Sequence, residues 1–534
     1  MTLLKRAWHK LLDSTGHRRP RPAALAGPYE GASSGRRLAT WGTQSSGPNA
    51  AIFSSLQTLR SRSRELVRNV PIIDGAVDSF VSNLIGSGIN PRWQIKDQTL
   101  KEEIQQLWTD WATEADADGI SSFYGLQGTI ARALMEGGEA LVRLRFRRPE
   151  DGLTVPLQLQ ALEGDHLDET YNTIAPNENI VRMGIEFDKL GRRAAYHLWR
   201  DHPADLFVFS QNAGLRSRVD AAEVLHVYRP LRLGQIRGRP WFASTIIKLH
   251  ELDQYEDAEL VRKKTAAMFG GFITEAADEA YAGSALGKDA GQDTSDRQII
   301  ALEPGTFPIL PPGYKVDFAK PEDVGGNLLA WLKSQMRQIA RGIGITYEQL
   351  TGDLEGVNYS SIRAGLLEFR RLCRVIQLHT IIHQFCRPVG VAWMDQAVLS
   401  GALRIRDYAA KRRDYTRITW RPDGWDWVDP LKDQLAEKMG VRSGFKSRAQ
   451  VVAERGQDIE VVDREIAADN ERADGLGLVL DTDPRQTAGS GSVQDAGVDR
   501  GQGNGGDRTL SESDRLDLQA LALLEKEERD ALPQ

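Results

Sequence analysis

The alternation of apolar and polar positions is clearest between Val324 and Cys386, where it predicts two helices joined by a polar loop. The first helix spans about residues 326–341. It follows the acidic sequence Pro321-Glu322-Asp323, and negative charge is favoured at a helix N-terminus. Apolar residues at steps of three and four predict one packed face. They are Leu329, Leu332, Met336, Ile339, Ala340 and Ile343.

The polar loop covers Thr346 to Ser361, and the second helix runs from Ile362 to Cys386. We expect Pro388 to stop this helix, because proline removes a backbone donor. Cys373 and Cys386 lie 13 positions apart on it, which corresponds to roughly 20 Å along the helix axis. They cannot form a disulfide with each other there, so we expect reduced thiols and a cytosolic setting.

The preceding part of the chain alternates between helical and strand periodicity, which predicts an α+β body. Two helical stretches interrupted at Pro71 come first. The other predicted elements are helices at about 101–116 and 123–136 and strands at 139–146, 157–162, 180–187, 194–199 and 223–228. Strands 180–187 and 194–199 are expected to form a hairpin around Asp188-Lys189-Leu190-Gly191.

A third strong helix spans Ser244 to Met268 and carries acidic residues early and basic residues late, as the helix dipole favours. A small β module follows, with a short strand at Phe272-Ile273-Thr274 and two or three more strands around Pro-Gly turns in residues 302–318. After the long helix, we expect mixed structure in 389–427 that rejoins the main body. Residues 431–470 are expected to be helical.

Composition narrows the class of protein. The chain has 534 residues with a net charge of −6, which disfavours a DNA-coating protein but permits one past which DNA slides. No apolar run approaches the roughly 20 residues of a membrane span, and the N-terminus does not have the pattern of a secretory signal. Residues 1–40 carry eight Lys or Arg against Asp13 and Glu30. This arm is expected to be a solvated tail or to touch DNA.

The sequence WLKSQMRQIARGIGITYEQLTGDLEGVNYSSIRAGLLEFRR, residues 331–371, resembles the core signature of the lambda-type family of tailed-bacteriophage portal proteins. The similarity lies in a helix ending in R-x-x-A-x-G-x-G-x-x-Y-E-x-L-T-G-D, followed by N-Y-S-S-x-R and a long helix. The earlier pattern R-S-R-x-L-x-R-N-x-P at residues 62–71 also resembles this family. The resemblance covers about Arg36 to Asp469.

The resemblance implies an α+β portal fold: a mixed wing body, two stem helices flanking a small β-rich clip, a long wing helix, a helical crown and flexible termini. The implied divisions are a basic arm (1–50), wing (51–243), stem helix (244–269), clip (270–324), second stem helix (325–345), tunnel loop (346–361), long helix and wing (362–430), crown (431–480) and tail (481–534). The tail is expected to carry a helical docking segment near Leu516, Ala520, Leu523 and Leu524.

The family also implies a function. Commonly about twelve subunits would form a ring at one capsid vertex. The ring would be the channel through which double-stranded DNA is packaged and ejected, without sequence specificity. The implied partners are the terminase large subunit, capsid and scaffold proteins, and head-completion or adaptor proteins. Assembly would take place in the host cytoplasm. The protein would not be an enzyme and would need no cofactor or metal.

Six residues are candidates for the channel wall. Lys333, Arg337 and Arg341 form a row that a ring would present to passing phosphates, whereas the alternative is ion pairing with the acidic Ser244–Met268 helix of the same or the next subunit. Asp353 and Glu355 make the tunnel loop acidic and would limit DNA sticking, and Asn358 belongs to the same loop. Arg60, Arg62, Arg64 and Arg68 form a second cationic row, for which salt bridges to a neighbouring subunit are the favoured interpretation.

The sequence contains other patterns that resemble metal-binding or catalytic sites. His379, His383 and Cys386 would share one face of an α-helix, but helix packing is the simpler explanation than a zinc site. Asp423, Asp426 and Asp429 favour a structural turn over a calcium loop. The phosphate-loop pattern at residues 283–289 is incomplete, and the G-x-S-x-G pattern at residues 31–35 lacks the strand-turn-helix context of a nucleophile elbow. The alternative functions are a metal- or serine-dependent hydrolase with an inserted β module and a monomeric nucleic-acid-binding protein.

Overall fold

A computed structural model describes residues 45–205, 214–268, 272–275, 314–317, 328–426, 430–478 and 480. Most of the expected N-terminal arm, most of the expected clip and the expected C-terminal tail lie outside these residues. The described part divides into two compact units, one comprising 45–56 with 230–236 and the other comprising the remainder.

The helices account for most of the described chain. Their bounds are α1 Pro48–Phe53, α2 Leu56–Asn69, α3 Pro71–Ile85, α4 Gln98–Glu114, α5 Phe123–Glu136, α6 Ile246–Met268, α7 Leu328–Ile343, α8 Tyr347–Thr351, α9 Tyr359–Ile376, α10 Arg387–Leu399, α11 Tyr408–Tyr415, α12 Pro430–Arg442, α13 Arg448–Glu454 and α14 Ile459–Gly475. A π-helical segment, Gln377–Cys386, connects α9 to α10. No helix within the described ranges has the length and apolar character needed to cross a membrane.

The strands form antiparallel sheets. Their bounds are β1 Asn90–Trp93, β2 Glu139–Phe146, β3 Leu157–Glu163, β4 Thr173–Ile174, β5 Ile180–Arg182, β6 Ile185–Phe187, β7 Arg193–Trp199, β8 Arg216–Asp220, β9 Val224–Tyr228, β10 Phe272–Glu275, β11 Tyr314–Asp317 and β12 Ile418–Arg421. Strand β2 lies between β3 and β9, and β4 to β8 form a five-stranded meander. The α+β class is therefore confirmed.

Several predicted elements are confirmed closely. Helix α5 and strand β2 have the predicted bounds, because Ser122 caps α5 and Gly137-Gly138 separates the two elements. Helices α2 and α3 are interrupted at Pro71 as expected. Strand β12 pairs with β1, so the chain after the long helix does rejoin the main body. Strands β10 and β11 pair with each other between α6 and α7 in sequence.

The single strand predicted at 180–187 is wrong. Two consecutive residues adopt left-handed backbone conformations there, Met183 with φ of 51° and Gly184 with φ of 80°. They reverse the chain, so that Ile180 pairs with Phe187 and the segment forms its own tight hairpin, β5–β6. A side chain at Gly184 would also collide with the Asp168 carbonyl oxygen, 2.6 Å from the position of a Cβ.

The prediction that Pro388 ends the long helix is also wrong. The Arg387 N–H donates to the Ile382 carbonyl, which is a π-helical step, and Pro388 then lies in the first turn of α10. Proline is tolerated in a first helical turn because its missing N–H is not required there. The change of helix type therefore lets the chain continue in helical form to Leu399.

The core of the larger unit is rich in aromatic residues. Trp93, Trp108, Trp111, Phe123 and Trp393 are each fully buried. The ring centroids of Trp108 and Trp111 lie 4.8 Å apart, and those of Trp93 and Trp393 lie 5.5 Å apart. Each such pair contributes about 0.5–1.5 kcal/mol beyond its buried area. The cluster joins β1, α4, α5 and α10 into one body.

Candidate functional site

The segment expected to form the tunnel loop, residues 346–361, contains more regular structure than its sequence pattern predicted. It contains helix α8, which has a capping box formed by Thr346 and Gln349 and ends at Gly352, with φ of 70°. Asn358 caps α9 by accepting a hydrogen bond from the Ser361 N–H at 2.8 Å. The open loop is thus short, residues 352–358, and one of the six candidates, Asn358, has a structural role in capping.

The loop is attached to helix α7 through Asp353. The Lys333 Nζ lies 3.2 Å from Asp353 Oδ2 and 4.0 Å from Glu355 Oε2. The Tyr347 hydroxyl donates to Asp353 Oδ2 at 3.0 Å, and the Glu355 N–H donates to its Oδ1 at 2.9 Å. The Glu355 N–H, with Tyr347 and Lys333, lowers the pKa of Asp353, and Asp353 raises the pKa of Lys333. Three of the six candidates therefore meet at one point.

The other two cations of the row also have partners in the same chain. Arg337 lies over the Tyr347 ring at 5.5 Å from its centroid. The Arg341 guanidinium lies 2.9 Å from Glu368 Oε1 on α9 and lowers the pKa of that carboxyl group. Within the described residues, the row pairs with α8, α9 and the loop. The acidic residues of α6, the alternative considered from the sequence, do not pair with it in this chain.

Helices α6 and α7 pack against each other most closely where the start of α6 lies next to the end of α7. A side chain at Gly342 would collide with Thr245, whose Cγ2 lies 2.4 Å from the position of a Cβ. Tyr255 and Trp331 stack edge to face, 5.1 Å between centroids, and Lys248 donates to Gln338.

The side chains of both helices become more exposed with distance from that end. Residues close to the α6–α7 approach are buried: Ile246, Leu249, Leu252, Ile339, Ala340 and Ile343. Farther along, Leu260 and Val261 are exposed, and Leu329, predicted to lie on the packed face, is 73% exposed. The far halves of both helices thus present apolar side chains that the described part of the chain leaves exposed.

A buried charge cluster escaped the sequence analysis. The Glu139 carboxylate, fully buried at the start of β2, accepts from Arg237 Nε at 2.8 Å and Nη2 at 2.6 Å, and from the Gly238 N–H at 2.6 Å. Arg60 also donates to it, and His226 Nε2 lies 3.0 Å away. Burial would raise the pKa of Glu139, but Arg237 and Arg60 hold it well below 4.5. A carboxylate opening the apolar strand EALVRLRF was the available signal.

This cluster corrects the interpretation of the first arginine row. Arg60 is buried on Glu139, and the Arg64 Nη2 lies 2.6 Å from Asp165 and 2.9 Å from Glu163 of the same chain. These two arginines therefore form ion pairs within the subunit, whereas pairs with a neighbouring subunit had been expected. Their targets are distant in sequence, so periodicity alone could not identify them.

The expectation that His379, His383 and Cys386 share one helix face is wrong. In the π-helical segment His379 and His383 are exposed while Cys386 is buried, so the three do not share a face. In the described part of the chain, Glu163, Asp165 and His202 come close enough to hold an ion. Arg64 already pairs with both of these carboxylates, so the set is better explained as an ion-pair cluster.

The sequence was compared with known proteins. The model for the lambda family of phage portal proteins matches residues 34–377. A relative named "Probable portal protein", from Halomonas phage phiHAP-1, is 32% identical over 90% of this chain and 94% of its own length. Portal protein B of Escherichia phage lambda is 21% identical over 81% of this chain and 87% of its own length.

The structure was compared with solved structures as well. A chain from the neck of a native gene transfer agent particle is 15% identical with a TM-score of 0.42, covering 79% of this chain and 99% of that one. At this TM-score the structural similarity carries no inference about function.

Proposed function

The chain belongs to the lambda family of phage portal proteins, and we propose that its copies form a ring at one capsid vertex through which DNA enters and leaves the head. The family match carries this proposal, because it spans α6, α7, the loop and all of α9. Commonly about twelve subunits would close the ring, with head-to-tail interfaces that use two different faces of each subunit.

In this ring α6 and α7 are the stem helices, and residues 270–324 between them form the clip. Residues 51–243 and 362–430 form the wing, and 431–480 form the crown. The uncovered apolar side chains on the far halves of α6 and α7 support this assignment, since a neighbouring stem would bury them.

The wall of the channel would be built from α7 and the 352–358 loop. Lys333, Arg337, Arg341, Asp353 and Glu355 would face the DNA, next to the cap residue Asn358. Because the cations are matched by Asp353, Tyr347 and Glu368 of the same chain, the wall would offer few unpaired charges to phosphates. Affinity for DNA grows with the number of phosphates that a protein neutralises. A matched wall would therefore let DNA slide.

The remaining partners follow from the position at the vertex. The terminase large subunit would dock on the clip during packaging, capsid and scaffold proteins would contact the wing, and head-completion or adaptor proteins would bind after packaging. Assembly would take place in the host cytoplasm before the portal becomes part of the virion. The family is structural, and no specific observation favours the hydrolase alternative.

The position in the particle can be tested by labelling. Particles assembled with a tagged copy of the chain should bind gold-conjugated antibody at a single vertex, with the label next to the tail. Label distributed over all vertices, or absent from purified DNA-filled particles, would refute the proposal.

The channel wall requires a separate test. Reversing Lys333, Arg337 and Arg341 to Glu should leave rings intact but reduce DNA-filled particles at least about tenfold, because the wall then repels both the loop and DNA. Reversing Arg404, Arg406 and Arg413, which are exposed elsewhere, changes the charge equally and serves as the control. Unchanged packaging with intact rings in the first variant would remove these residues from the channel.

A further inference from the structure

A cleft rich in arginine lies between α9 and the C-terminal helices, and none of the six channel candidates lines it. Its volume is about 300 Å³, which is at the small end of the range for ligand sites. Arg370, Arg371 and Arg374 of α9 line one side, and Arg455 lines the other. Trp425 contributes to the lining as well. Four guanidinium groups thus border one small concave space.

The three arginines of α9 that line the cleft make no ion pair with any residue that the structure describes. Within the described ranges, none of Arg370, Arg371 and Arg374 has a carboxylate oxygen within 4 Å. Arg370 donates to the Asp426 backbone carbonyl at 3.0 Å. Arg371 and Arg374 are exposed to solvent. Arg60, Arg64 and Arg341 of the candidate site each pair with a carboxylate, whereas these three arginines do not.

The two glutamates at the rim do not neutralise the arginines, because another cation holds them. Lys446 Nζ lies 2.9 Å from a carboxylate oxygen of Glu437 and 2.9 Å from one of Glu454. One lysine shared by two glutamates leaves one negative charge at the rim, so the three arginines of α9 still give the cleft a net positive charge.

The cleft is held in shape by its aromatic residue and by close backbone packing. The Trp425 ring lies beneath two of the guanidinium groups, 5.8 Å from Arg370 and 5.7 Å from Arg374. Cation–π contacts of this kind restrict long side chains. A side chain at Gly424 would collide with Arg455, whose Cα lies 2.5 Å from the position of a Cβ. The segment carrying Trp425 is therefore fixed against the segment carrying Arg455.

We propose that this cleft binds a phosphate group. Guanidinium groups present paired N–H donors that match phosphate oxygens, and several of them along one cleft favour an anion with oxygens in more than one direction. The phosphate can belong to the backbone of duplex DNA or to a free phosphate ion, since both present the same oxyanion. None of the six channel candidates lines this site.

Binding to the full-length protein tests the proposal with two probes, a fluorescein-labelled 20-base-pair duplex followed by anisotropy and inorganic phosphate followed by calorimetry. The variant R371A/R374A should weaken at least one of them by about tenfold or more, since hydrogen bonds to charged groups are each of that order. R404A/R413A removes the same charge from exposed arginines elsewhere and should change either affinity less than about twofold. R371K/R374K keeps the charge and should restore part of the binding.

The two probes distinguish the source of the phosphate. Loss of duplex binding alone identifies the DNA backbone, and loss of phosphate binding alone identifies the free ion; both support the site. Unchanged binding of both probes in R371A/R374A overturns the proposal, as does an equal loss in R404A/R413A. Poly-glutamate binding that depends on the same arginines, without phosphate binding, also overturns it. Native mass measured for each variant separates these outcomes from any failure of ring assembly.

Discussion

The buried Glu139 cluster predicts a large loss of stability when its charge is removed. In Glu139→Gln the side chain keeps its size, but Arg237 and Arg60 lose the charge of Glu139 while remaining buried, and Arg60 keeps only the longer contact with Glu169 at 3.6 Å and that with Asp165 at 4.0 Å. Removing one partner of a buried ion pair typically costs about 3–5 kcal/mol, because the other charge is left uncompensated. This is a large fraction of the roughly 5–15 kcal/mol that stabilises a typical domain.

Urea denaturation followed by tryptophan fluorescence measures this loss, because Trp93, Trp108, Trp111 and Trp393 are buried in the core of the same unit. The matched control is Glu136→Gln, which makes the same chemical change at the partly exposed pair with Arg132, 2.6 Å apart. A surface pair contributes about 0–1 kcal/mol, so the control should barely move the midpoint. Equal midpoint shifts in the two variants would refute the account of Glu139.

Three further predictions concern the loop, a buried histidine and the thiols. Replacing Lys333 with Ala should speed amide hydrogen exchange in residues 352–358, because it removes the contact with Asp353; unchanged exchange would refute that attachment. Burial lowers the pKa of His226 below its usual 6.5. Below that pH the unfolded chain takes up a proton that the folded chain does not, so the stability advantage of the wild type over His226→Gln should shrink as pH falls. A constant advantage would contradict this. Burial raises the pKa of Cys373 to about 12 and that of Cys386 also. Both thiols should therefore resist alkylation at pH 8 until urea is added, and rapid native labelling would contradict it.

Local sequence patterns predicted most of the regular elements. Helix α5 and strand β2 came out with their observed bounds because caps and glycines lie beside them in sequence. The hairpin turn at residues 188–191 was predicted for the same reason, since Gly191 supplies the positive φ of 77°. Such signals act over a few residues, and a single sequence contains them in full.

The predictions that proved wrong depend on features that short sequence patterns do not record. A π-helical segment has nearly the composition of an α-helix, so the burial of Cys386 and the passage through Pro388 could not be foreseen from spacing. Met183 adopts a left-handed conformation that its residue type does not favour. Ion pairs between distant positions, such as Arg60 with Glu139 and Arg341 with Glu368, depend on tertiary folding. The sequence pointed to the charged residues proposed for the channel wall, but it did not show that they contact one another.

The most direct test of the central claim, that the chain forms a portal ring, is the native mass of the purified full-length protein by light scattering after size exclusion. The chain has a mass of 59.3 kDa, so a ring of about twelve copies should give a species near ~700 kDa. Electron micrographs of that peak should show particles with a central hole. A species that stays monomeric or dimeric, even when scaffold and capsid proteins are supplied, would contradict the account.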